Sequence, residues 1–173
     1  MTHVIEGLWP RLQQGLCPKC AGQVGVSRRN GPAGSLTDVP GNNPRRIGVL
    51  GGTFDPPHNG HVLAGIEARD RLNLDLVLFT VANDPWQKTG VGGLRESGLT
   101  GAELRLSMVE AAVEGHRGLQ ADDLEMQRGG PTYTADTLIE LEGRYPGANL
   151  FVLIGSDVAS TLDSWIRPDE VRQ

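Results

Sequence analysis

The chain is predicted to fold as an α/β protein, a doubly wound parallel sheet, and three observations predict it. Short β-rich apolar runs alternate with helical apolar periodicity from Ile47 to the C-terminus. The first such run, Ile47-Gly48-Val49-Leu50, feeds directly into a glycine-rich turn and then a helix. Each segment rich in polar chemistry follows immediately after a predicted strand, so all of them converge on one edge of the sheet, where ligands of such folds bind. An arrangement of this kind is Rossmann-like.

The elements follow in order. Ile47–Leu50 is the first strand. About Asn59–Leu72 is the first helix, with apolar Val62, Leu63, Ile66 and Leu72. The run from Leu74 to Val81 reads as the second strand, and a glycine-rich loop covers Asn83 to Gly101. Ala102–Glu114 is helical, with Leu104, Met108, Ala111 and Ala112 at core spacing and Thr100 as N-cap. Arg105 and Glu103 then read as surface charges. Leu119 to Glu125 is a weaker strand, and Arg128-Gly129-Gly130-Pro131 is a turn. Thr134–Leu141 is helical, and Asn149–Ile154 is the clearest strand.

Residues 46–173 therefore form one domain, and residues 1–45 read as a disordered extension rich in Gly, Pro, Asn and Arg. Within that extension Cys17-Pro-Lys-Cys20 is half of a zinc ribbon, and without a second pair no metal site is expected. Residues 1–46 hold six Lys or Arg against two Asp or Glu, whereas residues 47–173 hold ten against nineteen, consistent with the net charge of −5. So acidic a body argues against a non-specific nucleic-acid binder. Runs of 18 or more apolar residues do not occur, so no membrane span is expected. Two cysteines and no secretory pattern point to the cytoplasm.

The most informative stretch is Gly51-Gly52-Thr53-Phe54-Asp55-Pro56-Pro57-His58-Asn59-Gly60-His61. Gly51 and Gly52 allow close approach of backbone to a phosphate and permit positive φ. Helix-start amides near Asn59 and Gly60 point N–H groups at an anion. His58 and His61 add donors for phosphate oxygens. A strand, a glycine turn and a helix start with two histidines suit a nucleoside triphosphate.

The string resembles the nucleotidyltransferase superfamily signature G-x-F-D-x-x-H-x-G-H, whose fixed positions are filled by Gly52, Phe54, Asp55, His58, Gly60 and His61. Three later segments narrow the likeness: Asn83-Asp84-Pro85-Trp86-Gln87-Lys88, Gly130-Pro131-Thr132-Tyr133-Thr134-Ala135-Asp136-Thr137-Leu138, and Gly155-Ser156-Asp157 followed by Trp165. Together they resemble the bacterial nicotinate-nucleotide adenylyltransferases over about residues 46–173. Phosphopantetheine adenylyltransferases, which share the superfamily, would carry Thr in place of His58 and lack the Pro-Thr-Tyr-Thr segment, and cytidylyltransferases lack the later segments.

The resemblance implies transfer of AMP from ATP to nicotinate mononucleotide, giving deamido-NAD and pyrophosphate. By it, His58 and His61 are catalytic. Gly51, Gly52, Thr53, Phe54, Gly60, Lys88 and Asp157 bind ATP or its phosphates, and Thr134, Ala135 and Trp165 take the nicotinate nucleotide. Mg²⁺ accompanies ATP. Trp165 would stack on the pyridine ring or else pack in the core. Asp157 contacts the ribose or caps a helix. Asp55 orients its loop or approaches Mg²⁺, and Lys88 serves the phosphates or is a solvated loop charge. The resemblance also implies a further strand and a Ser-Ser/Thr-x-x-Arg segment beyond Trp165, whereas this sequence ends at Gln173. On that reading the C-terminal part of the sheet is missing, a strand edge is open to self-association as a homo-oligomer, and the alternatives are a truncated, inactive nucleotide-binding fragment or a related adenylyl- or cytidylyltransferase such as a phosphopantetheine adenylyltransferase.

Overall fold

The computed structural model describes residues 3–5, 44–84 and 98–172, with the side chains of residues 3–5, 156 and 157 outside that description. In chain order the elements are β1 (His3–Ile5), β2 (Arg46–Gly52), α1 (Asn59–Leu72), β3 (Leu76–Val81), α2 (Ala102–Val113), β4 (Leu119–Asp122), α3 (Leu124–Arg128), α4 (Thr134–Arg144), β5 (Asn149–Leu153) and α5 (Ser156–Ala159). A 3₁₀ turn (Leu162–Ser164) and α6 (Pro168–Arg172) complete them.

All strand pairings are parallel, in the order β1-β5-β2-β3-β4. The chain runs from β2 to β3 to β4 on one side and then crosses to β5 on the other side of β2. The switch between β2 and β5 opens a crevice beyond the carboxyl ends of these strands.

Side chains alternate along each strand, so each face of the sheet has its own core. Ile47, Val49, Leu76, Leu78, Leu150 and Val152 pack with Leu138 and Leu141 of α4 on one face. Val77, Phe79, Val81, Phe151 and Leu153 pack with Val62 and Ala68 of α1 and Val109 and Val113 of α2 on the other. Burial on both faces explains why β3 is apolar at nearly every position. Close helix–sheet packing needs Gly65, because a Cβ there would lie 2.7 Å from Phe79 Cζ.

The start of β2 is tied down by polar contacts. The Arg45 and Arg46 amides donate to Asp75 Oδ2 at 2.8 and 2.9 Å. The Arg46 guanidinium donates to Leu72 O and lies 4.6 Å from the Phe151 ring centroid.

Several elements depart from the sequence reading. α2 is capped by Gly101, not Thr100, and Leu104 is 59% exposed while Arg105, Val109 and Val113 are buried. The buried stripe is thus rotated by one residue from the one read off the leucine and alanines. Similarly, α1 buries Val62, Ala64, Gly65 and Ala68, leaving Leu63 exposed. The Leu119–Glu125 run divides into β4 and the short helix α3, where Asp122 Oδ1 accepts the Leu124 amide at 2.8 Å and turns the chain. His3–Ile5, within the stretch read from sequence as an extension, pairs with Phe151, Val152 and Leu153 of β5. Cys17, Cys20 and residues 6–43 lie outside the described residues.

Candidate nucleotide site

Gly51 and Gly52 are the last residues of β2, and neither adopts positive φ. The left-handed residue is Phe54, at φ 50. That conformation is uncommon for a bulky side chain and needs support from its surroundings. Support comes from burial of the ring, which lies 5.9 Å from Phe79 and edge-on to His61 at 5.1 Å. The glycines matter for space instead. A Cβ on Gly52 would come within 3.0 Å of the Phe54 ring, whereas one on Gly51 would meet nothing within 4 Å, so the strand end at Gly51 faces open room.

His58 is the N-cap of α1, and His61 lies in its first turn, with Gly60 between them partly buried. Their rings stack at 3.7 Å. The His58 amide donates to His61 Nδ1 at 3.2 Å, and the His61 amide donates to the His58 carbonyl at 2.9 Å. An accepting Nδ1 places the proton of neutral His61 on Nε2, making that nitrogen a hydrogen-bond donor. Burial, and then the neighbouring His58, lowers the His61 pKa to about 4. His61 is therefore a neutral, preorientated N–H donor at physiological pH.

Asp55 acts on its own loop: its Oδ2 accepts the Thr100 amide at 2.9 Å. Arg105, read from sequence as a surface charge, is only 1% exposed and lies beneath this loop. Its Nε donates to Thr100 O (2.9 Å), Nη1 to Thr53 O (2.7 Å) and Nη2 to Asn83 O (3.3 Å). Burial lowers its pKa and Asp55 opposes that effect. The available sequence signal was its spacing, four residues before Val109 and eight before Val113, on one helical stripe.

A second seam joins the loop after β3 to the approach to α4. The Asn83 amide donates to Thr132 Oγ1 at 3.1 Å, Asn83 Nδ2 donates to Gly130 O at 3.0 Å, and the Thr132 amide donates to Asp84 O at 3.1 Å. Under it sits Glu125, 4% exposed, whose Oε1 accepts from Thr137 Oγ1 at 2.7 Å. Burial pushes the Glu125 carboxyl up to about 7, against the pull of hydrogen bonds from Thr137 and Thr132 and the charge of Arg128. Glu125 did not stand out in the sequence as a buried polar group, because its partner Thr137 lies twelve residues along the chain.

Thr134 opens the eleven-residue helix α4 at the same sheet edge, with Ala135 buried behind it. Trp165 follows the 3₁₀ turn. Its half-buried ring packs against the core that contains Leu138, Leu141 and Leu162, so the core-packing alternative describes at least part of its surface. Asp157 lies in α5 at the end of β5, on the side of the crevice opposite the histidine loop, and its side chain is outside the description. Lys88, with Trp86 and Gln87, lies outside the described residues. Among the described residues no group of three or more His, Cys, Asp or Glu could hold a metal ion. No helix there is long and apolar enough to cross a membrane.

The cytidylyltransferase-like family model matches residues 49–173, which take in the histidine loop, α4 and the Trp165 segment. The chain belongs to this family. Cytidylyltransferase-like relatives named probable nicotinate-nucleotide adenylyltransferase include one from Saccharopolyspora erythraea, 41% identical over 127 residues that cover 73% of this chain and 57% of the relative. Another, from Mycolicibacterium vanbaalenii, is 40% identical over 131 residues, covering 76% and 58%. A third, from Oceanobacillus iheyensis, is 40% identical over 127 residues, covering 73% and 63%. The chain thus spans somewhat more than half the length of these relatives. Among solved structures, the Plasmodium falciparum nicotinic acid mononucleotide adenylyltransferase complexed with NaAD matches with a TM-score of 0.62 at 19% identity, covering 73% of this chain and 60% of that one. At that identity the likeness bears on the fold.

Proposed function

We propose that residues 46–173 are the nucleotide-binding part of a nicotinate-nucleotide adenylyltransferase. The reaction joins a phosphate oxygen of nicotinate mononucleotide to the α-phosphorus of ATP. The bond from that phosphorus to the β-bridging oxygen breaks, and pyrophosphate leaves. The observation that carries this reading is the stacked His58–His61 pair at the start of α1, with His61 held as a neutral donor beside the open end of β2. The relatives' names support the substrate class.

In this reading the triphosphate lies over Gly51 and the start of α1, where Gly51 leaves room and Thr53, Phe54 and Gly60 contribute backbone. His61, with His58, donates hydrogen bonds to phosphate oxygens that gain charge in the transition state. Catalysis is positioning and electrostatic stabilisation, with no covalent enzyme intermediate. Asp55 Oδ2 accepts the Thr100 amide, and in this reading Mg²⁺ arrives with ATP, held by its phosphate oxygens and water. By the family resemblance Lys88 is assigned to the phosphates and Asp157 to the nucleotide ribose.

Nicotinate mononucleotide would sit at the start of α4, its carboxylate on the Thr134 and Ala135 amides and its ring on the exposed part of Trp165. A helix start favours an anion over a neutral amide. The test is pyrophosphate and deamido-NAD formation from Mg·ATP with nicotinate mononucleotide, compared with its amide counterpart. The reading expects equimolar products and a higher kcat/KM for the acid. Equal kcat/KM would refute the role of α4, and AMP transfer to neither acceptor would refute the transferase.

A further inference from the structure

We infer that Arg105 is a positioning residue for the phosphate loop, fixing the end of β2, the end of β3 and the start of α2 to one another through three backbone carbonyls. Its kinetic consequences rest on the adenylyltransferase reading; its structural ones do not.

The Arg105 guanidinium touches the backbone in three places. All three of its nitrogens donate to main-chain oxygens, and the three acceptors, Thr53, Asn83 and Thr100, lie on three separate loops. A planar fork with donors in fixed directions can hold three carbonyls at once, which a lysine's single nitrogen cannot reproduce at the same positions. Asp55 closes the ring by accepting the Thr100 amide and by placing its charge near the buried cation. Between Thr53 and Asp55 lies Phe54 in its left-handed conformation, which a loop held at both ends can maintain.

The orientation has a chemical result. In a trans peptide the C=O and N–H point in opposite directions. Drawing the Thr53 carbonyl down onto Arg105 therefore turns the Phe54 N–H to the other side of the loop, away from the buried guanidinium. The same residue places a permanent positive charge under a loop proposed to take a polyanion, in a segment that is otherwise acidic. One side chain thus sets both the direction of a loop amide and the local potential.

Arg105→Met and Arg105→Lys, compared with the wild-type chain by hydrogen exchange, test this without requiring activity. Loss of a charged hydrogen bond should speed exchange at least about tenfold in peptides spanning 51–57 and 98–104 of the Met variant. Peptides spanning 149–153 and 135–144 should stay as in the wild type, and the Lys variant should fall between. If the Met variant does not fold, the Lys variant decides by the same pattern. Kinetically, kcat should fall about 10²-fold in the Met variant through misplacement of the reacting phosphate, with partial recovery in Lys and an unchanged KM for nicotinate mononucleotide. Exchange that rises uniformly over the whole sheet, or does not rise in 51–57, would overturn the inference. So would an unchanged kcat in an active enzyme. A wild-type chain without transfer activity would refute the proposed function instead, and the exchange pattern would still decide the role of Arg105.

Discussion

The partly buried His61 and the buried Glu125 are ionisable groups whose pKa values move in opposite directions, and together they shape how stability depends on pH. His61 is lowered from 6.5 to about 4, so the folded state resists its protonation. Its contribution is fully present above about 6.5 and is lost as pH falls toward 4. Glu125 is raised from 4.5 to about 7, so its contribution is present below about 4.5 and lost as pH rises through 7. Across the shared window the two slopes oppose each other, and each single variant should expose the other. Glu125→Gln keeps the shape without the charge. Relative to wild type it should gain stability between pH 5 and pH 8, by an amount on the order of 3 kcal/mol at most. His61→Asn, which retains an acceptor for the His58 amide, should leave a protein whose stability declines over the same range. Urea midpoints at pH 5, 6, 7 and 8 measure both; parallel profiles for wild type and Glu125→Gln would show that Glu125 does not titrate there.

At the scale of elements, glycine shows how packing overrides propensity. Replacing a helical glycine by alanine ordinarily gains up to ~1 kcal/mol. Gly143 of α4 has nothing within 4 Å of a modest added Cβ, so Gly143→Ala should stabilise by a few tenths to ~1 kcal/mol. Gly65 of α1 would drive its Cβ to 2.7 Å from the Phe79 ring, and such overpacking costs about 1–3 kcal/mol. Gly65→Ala should therefore lower Tm by a few degrees while Gly143→Ala raises it, at about 2–4 °C per kcal/mol for a chain of this size. Thermal unfolding of the pair is the check, and a rise for both would show that α1 can shift away from β3.

Elements with a strong local signature were legible in the sequence. α1 spans Asn59–Leu72, the bounds read from its apolar pattern, and Asn73 takes the left-handed C-cap conformation. β5 needed only its apolar run. What was not legible depends on partners far along the chain. The register of α2 turned on Arg105 being drawn inward by carbonyls of Thr53 and Asn83, 52 and 22 residues away. The helix α3 owes its start to Asp122, and apolar periodicity over seven residues cannot distinguish that turn from a longer strand. The histidine pair was found by spacing, but its stacking and the Nδ1 acceptor came only with the fold.

On the scale of the whole molecule, the parallel sheet gathers two polar seams at one edge. Arg105 joins the histidine loop to the loop after β3, and Asn83 and Thr132 join that loop to the approach to α4. The proposed triphosphate and pyridine sites are thereby built on a shared support, on a chain whose residues 47–173 are acidic. An acidic body that takes ATP must do so through local donors, and the histidine pair is where those donors are most exposed to test. The most direct measurement is an NMR titration of the two imidazoles with Mg·ATP. Saturable shifts of both His58 and His61, together with a His61 pKa that rises above about 4 as phosphate anions approach, are the predicted result. Saturable ATP binding that leaves both imidazoles unshifted, or no binding at all, would contradict the assignment of this loop as the phosphate site.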